Sequence, residues 1–395
     1  MQKTGKLNCR RIKEARLFRK MTLEELANKV GIQKQAISQF ENEKATPEPT
    51  TLTKIADILR FPLSFFFEND EPTTVGNTYF RALYSSRKKD LVAQQIKAKY
   101  LSIIYFILSK KLTFRPLNLP IFTESITTKQ EEAKLTIEKI AVLLREHWRL
   151  GDNPIQNMVS LLEQNGIVVG EFSTDSREID AFYQYCELSG KPTYCIVLGT
   201  DKKSFYRRQF NSAHELGHIV LHECYADLDE IDRDEFRTRE AQANSFAASF
   251  LLPESSFGKD VSVYPNRLSY YLELKKKWNV SIMAMIMRAN ALGYLSKNQY
   301  VYLMRRMSEM GYREKEPLDD YVPYKHPRAL KQAIAILKQQ EQLTNQQIME
   351  LFSTANFSIP ENVVEELLDL EKGTLAPSFN EDNIVLFPTL NTTRR

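Results

Sequence analysis

The feature that most constrains this chain is a pair of histidines four residues apart with a glutamate after the first: His214, Glu215 and His218. Residues four apart on an α-helix lie on the same face. Such a face can present two neutral imidazole nitrogens to one zinc ion at about 2.0 to 2.1 Å. Glu215 can then act as general base toward an attacking water. The spacing predicts a metal-dependent hydrolase; a surface helix with two unrelated histidines is the alternative.

The residues around this motif predict a long amphipathic helix. Its apolar positions recur at three- and four-residue spacing and are Phe210, Ala213, Leu216, Gly217 and Val220. That spacing is the apolar stripe of a helix that packs on one side. A glycine inside a helix costs roughly 1 kcal/mol relative to alanine. We therefore expect backbone or substrate to approach closely at Gly217.

A catalytic zinc usually has three protein ligands and one open position, so a third ligand is needed. His222 would lie about 12 Å from His214 along a continued helix, which is too far for one ion. Glu240 is the better candidate, because it belongs to a second predicted helix with a stripe of small apolar residues suited to close packing. Spacing alone leaves open that Glu240 is an ordinary solvated carboxylate. Asn244, one turn later, can hydrogen-bond a ligating histidine.

Two segments carry a resemblance to a known family. Residues 210–222 read FNSAHELGHIVLH, and residues 240–253 read EAQANSFAASFLLP. Both are similar to the ImmA/IrrE family of zinc metallopeptidases. The resemblance implies zinc binding by His214, His218 and Glu240 and proton transfer by Glu215. It also implies a protein substrate, a transcriptional repressor, whose cleavage relieves repression in a mobile element or a stress response.

The resemblance extends beyond the motif. Residues 280–288, 292–293 and 316–317 match the helical region that commonly follows the protease core in long members of the family. The chain departs from many members at Gly199 and Thr200, after a predicted strand, where an asparagine is common.

The N-terminal residues predict a second function. Five short helices are expected over residues 9–19, 23–30, 33–41, 51–59 and 63–67. Thr22 and Glu25 form a capping box for the second helix. Gly31 makes the tight turn between the second and third helices. Over residues 7–67 this pattern resembles the XRE and lambda-repressor type of helix-turn-helix DNA-binding domain.

In such a domain the second helix of the motif faces the major groove. The candidate base-reading residues are Lys34, Gln35 and Gln39, because glutamine pairs bidentately with adenine and lysine suits guanine. The candidate phosphate or sugar contacts are Gln33, Ser38 and Asn42. Arg10, Arg11 and Arg16 are expected to add positioning charge. The net charge of the chain is only +4, so the crowding of basic residues near residue 10 favours DNA. A solvated basic face is the alternative.

Composition places these motifs in a multidomain protein. A length of 395 residues with 43% hydrophobic content predicts two or three domains. Four cysteines without a CxxC pair predict reduced thiols, and Cys224 is expected to be a buried inert thiol. We expect no signal peptide, because the first residues are polar and basic. We also expect no membrane span, because no apolar run reaches bilayer length. We therefore expect a cytoplasmic protein whose partners are double-stranded DNA and a protein substrate, as a possible homodimer.

The expected fold is mainly α, with an N-terminal five-helix lambda-repressor-like domain, a small α+β zincin-like protease domain and a helical C-terminal region. Strands are expected over 166–172, 180–188 and 193–198, and the edge strand of their sheet suits an extended peptide. The expected divisions are the DNA-binding domain 1–68, a linker and helical connector 69–128, the metallopeptidase core 129–258, the helical C-terminal region 259–372 and a tail 373–395.

A different function fits the same motifs. The chain is then an XRE-family transcriptional regulator in which the zinc domain is a non-proteolytic sensor, a scaffold or a toxin-antitoxin partner. In the protease interpretation, an oxyanion donor is also required, and His222 is one candidate for it.

Overall fold

The computed structural model describes residues 6–69, 73–80, 87–120, 130–174, 179–201, 204–222 and 232–377, and Cys224 lies outside them. The helices before the sheet hairpin are α1 Arg10–Phe18, α2 Leu23–Val30, α3 Lys34–Glu41, α4 Pro49–Leu59, α5 Lys88–Ser109, α6 Gln130–His147 and α7 Met158–Gln164, with a 3₁₀ turn Leu63–Phe67. The later helices are α8 Phe205–Leu221, α9 Arg233–Leu251, α10 Glu254–Val261, α11 Leu268–Trp278, α12 Ile282–Ala291, α13 Lys297–Glu309, α14 Ala329–Gln339, α15 Asn345–Thr354 and α16 Glu361–Leu367. The strands are β1 Thr73–Phe80, β2 Val168–Phe172, β3 Ala181–Leu188 and β4 Lys191–Gly199. The mainly α fold with a small sheet is confirmed.

The N-terminal elements have the predicted order, and the last of them is a 3₁₀ turn. The capping box is formed: the Thr22 hydroxyl accepts from the Glu25 backbone at 3.1 Å, and the Glu25 carboxylate accepts from the Thr22 backbone at 2.7 Å. Gly31 has a φ of +82°, which lets α2 end sharply before α3. The capping box and the turn at Gly31 therefore position α3 against α2.

Two arginines expected to supply charge to DNA are structural instead. Arg16 is buried and donates to Glu41 of α3 through Nε at 2.6 Å and through Nη2 at 2.7 Å. Arg11 is buried with its guanidinium 4.7 Å from the centroid of the Phe65 ring. Arg10 alone of the three has a mostly exposed side chain. The charge prediction was wrong for Arg11 and Arg16, because one face of α1 packs into the domain that it was expected to flank.

The sheet has four strands in the order β1-β3-β4-β2. β3 and β4 form a hairpin through Ser189 and Gly190, both with positive φ, as a two-residue type I′ turn requires. β2 runs parallel to β4, and β1 runs antiparallel to β3. A Cβ at Gly199, where β4 ends, would lie 2.9 Å from the backbone oxygen of Ile179. Close packing therefore explains why glycine stands at this departure from the family pattern.

The three predicted strands are present, and β1 is an addition. It lies within residues 69–128, which were expected to form a linker and helical connector. That expectation was wrong for residues 73–80, because this strand adds to the edge of the sheet. Its threonine, valine and aromatic residues favour extended structure, but Gly76 and Asn77 mask the pattern in the sequence.

Two hydrophobic cores lie on opposite faces of the sheet. The first joins the N-terminal helices, α5 and α14 to α16. The second joins α6, α7, α8, α9 and α11 to α13. Successive residues of β3 divide between them: Phe182 belongs to the first core and Tyr183 to the second. The region 259–372 therefore contributes to both cores.

Polar contacts around the first core join the N-terminal helices and α5 to the C-terminal region. The Glu68 carboxylate accepts from the Ser358 backbone at 2.8 Å and also from its hydroxyl. Lys97 of α5 pairs with Glu366 of α16 at 2.6 Å.

Among the described residues, α5 is the one helix long and apolar enough to cross a membrane, but 72% of its most apolar stretch is buried inside the molecule. It therefore has the position of a core helix.

A buried ion-pair cluster fixes the start of α12 beside α8. Lys275 is buried and donates to Glu316 at 2.8 Å and to Asp319 at 2.7 Å. Glu316 also accepts from the backbone of Ile282 at 2.7 Å, so it satisfies a helix N-terminus as well as the ammonium group. The Lys275 ammonium lies 4.1 Å from the Tyr206 ring centroid on α8. These contacts support the helix that carries the histidine pair.

Candidate metal centre and recognition helix

The two helices of the candidate centre meet at a glycine. A Cβ at Gly217 of α8 would lie 3.0 Å from the Phe246 ring and 3.2 Å from the Ala243 Cα on α9. The close approach expected at Gly217 is present, and the neighbour is the backbone of α9. This contact places the middle of α9 next to the histidines, so that Glu240 reaches them.

Three ligand-type atoms converge between the helices. The Nε2 atoms of His214 and His218 are 3.0 Å apart. One carboxylate oxygen of Glu240 lies 3.1 Å from His218 Nε2, and the other lies 3.5 Å from His214 Nε2. Atoms bound tetrahedrally at about 2.0 to 2.1 Å from a zinc ion lie about 3.3 Å apart. The spacing of the three atoms therefore fits one zinc ion.

The hydrogen bonds behind the histidines determine where their protons lie. The amide oxygen of Asn244 is 3.0 Å from His214 Nδ1, so that nitrogen donates. The amide oxygen of Gln242 is 3.0 Å from His222 Nε2, so His222 donates there and keeps its Nδ1 as an acceptor. His218 Nδ1, at 3.0 Å, donates to that atom. Both ligating-type Nε2 atoms are then left without protons, with their lone pairs facing each other.

The charge states agree with this arrangement. Burial lowers the pKa of His218 to about 3, so its imidazole is neutral. The two carboxylate oxygens of Glu240 face the same two Nε2 atoms at 3.1 and 3.5 Å. Two neutral imidazoles and a carboxylate are the donor set of many catalytic zinc sites, which keep a fourth position for water or substrate. Their mutual repulsion is relieved by a cation, so these residues fit zinc.

Glu215 and Tyr183 complete the surroundings of the centre. Glu215 follows His214 on α8 and is 1% exposed, while His214 and His218 are both 0% exposed. The Tyr183 ring of β3 stacks near the His218 ring, with centroids 6.2 Å apart and planes at 23°. The centre thus lies between two helices and β3, one of the two inner strands of the sheet.

His222 holds a ligating-type histidine in place. Burial lowers the pKa of His222 to about 4, and its two ring nitrogens contact His218 and Gln242. Because both nitrogens are engaged by protein groups, we replace the oxyanion-donor hypothesis with a positioning role. Sequence reasoning missed Gln242, although it lies only two residues after Glu240, because its partner is known only once α8 ends at Leu221.

A second group of residues whose types can bind a metal forms an ion-pair cluster instead. Glu171, His326 and Asp369 bring their donor atoms together. Arg208 of α8 pairs with the buried Glu171 carboxylate, and Lys331 pairs with Asp369. Protein cations already compensate these carboxylates, so the cluster ties β2 to α8 and to the segment before α14.

The predicted recognition helix α3 presents its candidate residues to solvent. The exposed residues are Gln33, Lys34, Gln35, Gln39 and Asn42, and Ser38 is half-buried. Asn42 donates to the Ser38 backbone oxygen at 2.7 Å. Ile37 and Glu41 are the buried side of α3, so the candidate residues lie on its outer side. Within the part of the chain that the structure describes, this side of α3 is open to solvent.

Comparison with known protein families assigns both parts of the chain. Residues 162–290 match the family described as the IrrE N-terminal-like domain, a peptidase family, over about one third of the chain. Residues 12–66 match the helix-turn-helix family. No curated protein matches the chain. The resemblance inferred from the sequence is confirmed, and the first match contains all three converging side chains.

We predict that Glu240→Gln weakens zinc binding by more than about 100-fold, beyond the usual effect of changing an outer hydrogen-bond partner. The amide removes the anionic donor that faces both histidines. Competition with a chelating dye measures the affinity. Glu235→Gln, an exposed change on the same helix, is the matched control and keeps the wild-type value. Wild-type affinity in Glu240→Gln would exclude Glu240 as a ligand.

We predict that His222→Ala lowers zinc affinity about 10- to 100-fold, because His218 loses the acceptor that fixes its ring. His222→Asn keeps a side-chain oxygen in the place of Nδ1 and should restore much of the loss. The same dye competition measures both variants. If alanine and asparagine bind zinc as wild type does, His222 has no positioning role.

Proposed function

We propose that this chain, which carries a helix-turn-helix domain and an IrrE N-terminal-like peptidase domain, is a DNA-binding zinc metallo-endopeptidase. The observation that carries the proposal is the convergence of His214, His218 and Glu240 beside Glu215. Its substrate is a transcriptional repressor, and cleavage changes transcription. The protein works in the cytoplasm, in keeping with its DNA-binding domain and with the free thiols Cys9, Cys186 and Cys195.

The residues of the centre divide the chemistry of peptide hydrolysis. Zinc at such a site supplies Lewis acidity, which polarises a carbonyl group and makes water nucleophilic near neutral pH. Glu215 takes the proton of the attacking water and returns it to the leaving amine. Asn244 and His222 hold the histidine rings so that their Nε2 atoms stay aimed at the centre.

The DNA-binding domain gives the protease a location. A repressor bound near the same operator meets the tethered protease at a high effective concentration, without added contacts between the two proteins. The open outer side of α3 supports such binding. Two copies on adjacent half-sites are the usual arrangement for this motif, and we include a homodimer on DNA in the proposal.

We predict that Glu215→Gln removes proteolysis but keeps zinc. Loss of a general base costs about 10²- to 10⁴-fold in rate. Cells that express wild type or Glu215→Gln are compared by mass spectrometry of new protein N-termini. The wild type should generate a new N-terminus in a DNA-binding repressor, and Glu215→Gln should not. The matched control is the exposed change Glu235→Gln, which keeps the cleavage.

A second function is favoured by the burial of the centre. His214, Glu215 and His218 have almost no solvent exposure, so little of the centre is open to a peptide in this conformation. A regulator whose zinc domain is a sensor, scaffold or toxin-antitoxin partner needs no such access. A zinc-loaded protein that yields no Glu215-dependent cleavage in cells would favour this function over the protease.

We predict that Gln35→Ala weakens specific DNA binding by about 1 to 3 kcal/mol and relaxes preference at one base pair, because a bidentate contact is lost. Gln35 is exposed near the start of α3. Lys54→Ala, an exposed change on α4, is the control and should keep the preference. Selection of DNA sequences from a random pool, followed by fluorescence anisotropy, measures both. An unchanged preference in Gln35→Ala and in Lys34→Ala would remove α3 as the reading helix.

A further inference from the structure

The strand β3 passes beside the candidate metal centre. Its Tyr183 ring stacks on His218, which places this part of the strand against α8. One neighbour of β3 is β4, joined to it by the hairpin turn. The other neighbour is β1, in which Tyr79 is the partner of Tyr183. β1 therefore runs along the side of β3 that is nearest the sheet edge, level with the centre.

β1 occupies a position that an extended peptide would need. A strand edge pairs with any extended segment through backbone hydrogen bonds, and only one segment can use it at a time. β1 pairs antiparallel with β3 from Thr73 opposite Leu188 to Phe80 opposite Phe182. It comes from outside the peptidase match, which begins at residue 162. The peptidase domain thus receives this strand from another part of the chain.

The pairing of β1 is weaker than that of the hairpin. Its register shifts between Val75 and Thr78, which interrupts the ladder of backbone hydrogen bonds. The β3–β4 pair is continuous over eight residues of β3 and closed by a two-residue turn. An edge strand with a shifted register detaches at a lower free-energy cost than the continuous hairpin pair.

The centre is almost closed to solvent in this conformation. A general base acts within about 2.6 to 3.2 Å of the proton that it takes, and Glu215 is 1% exposed. A substrate strand laid along β3 would bring its backbone to the centre, but β1 holds that place. Access of a substrate to the centre therefore depends on whether β1 occupies the edge of β3.

We propose that β1 is an internal occupant of the substrate-binding edge, so that the peptidase is latent until β1 leaves β3. The substrate is then an extended, uncharged protein segment rich in β-branched and aromatic residues, like the TTVGNTYF sequence of β1 itself. This proposal rests on the proposed proteolytic function. In the sequence, β1 begins six residues after the 3₁₀ turn Leu63–Phe67.

The first test removes β1 from the edge. Successive backbone N–H groups of a strand point to opposite sides, so the pair Thr78→Pro and Tyr79→Pro removes one that points toward β3. Both changes are made in full-length, zinc-loaded Glu215→Gln protein, which should not cleave. The probe is a fluorescein-labelled peptide with the sequence of residues 73–80. It should bind the proline variant at least tenfold more tightly than Glu215→Gln alone, as measured by anisotropy.

The control for this test keeps the strand. Thr78→Ser with Tyr79→Phe preserves the backbone donors and the hydroxyl that accepts from Gln184 at 2.7 Å. It should bind the peptide as weakly as Glu215→Gln alone. Equal peptide binding by the proline and control variants, with both folded by circular dichroism, would overturn the proposal. The binding measurement does not depend on cleavage, so it separates failure of this proposal from failure of the proteolytic function.

The second test locks β1 in place and serves if the proline variant does not fold. Val75 is the partner of Cys186 on β3, and directly paired strand positions lie within the Cα separation of a disulfide. Val75→Cys should form this disulfide on oxidation. The substrate is the repressor found by mass spectrometry of new protein N-termini. The oxidised protein should cleave it at least tenfold more slowly than after phosphine reduction, whereas wild type is unaffected by the reductant. Equal rates in the disulfide-bonded and reduced forms would contradict latency through β1.

Discussion

The close approach of α8 and α9 at Gly217 is the constraint on which the candidate centre depends. With no side chain at this position, Ala243 and Phe246 pack directly against the first helix. The middle of α9 then brings Glu240 to both histidines, and Asn244 reaches His214 one turn later. A larger residue would separate the helices and move the carboxylate away from the imidazoles. The centre is therefore assembled by helix packing between two separate parts of the chain.

The hydrogen bonds behind the two histidines decide which of their ring nitrogens can bind zinc. Asn244 and His222 each accept a hydrogen bond from the Nδ1 of a histidine, which leaves two acceptor Nε2 nitrogens and a carboxylate facing one point. Burial keeps the imidazole of His218 neutral and so keeps its lone pair available. The same burial that prepares the residues for zinc also excludes substrate. The edge strand β1 pairs with β3, the strand that borders the centre. In the proposal above, β1 therefore holds the edge along which a substrate would bind.

Much of the site could be predicted because its residues lie at helical spacing. His214 and His218, and likewise Glu240 and Asn244, are four apart, and the structure brings all four together. Tyr183 could not be predicted, because it depends on the position of a strand relative to α8. The burial of Arg11 and Arg16 was missed because charge in a sequence does not reveal a buried partner such as Glu41. Strand β1 was missed because its partner lies about 100 residues later in the chain.

The most direct test of the account is zinc K-edge X-ray absorption on the purified chain loaded with one equivalent of zinc. A centre built from two histidines and Glu240 should give a first shell of nitrogen and oxygen only, at about 2.0 to 2.1 Å, with the outer-shell scattering of two imidazoles. In Glu240→Gln the oxygen contribution should fall while the two imidazoles remain. A sulfur ligand at about 2.3 Å, or a shell without imidazole, would contradict a centre built from His214, His218 and Glu240.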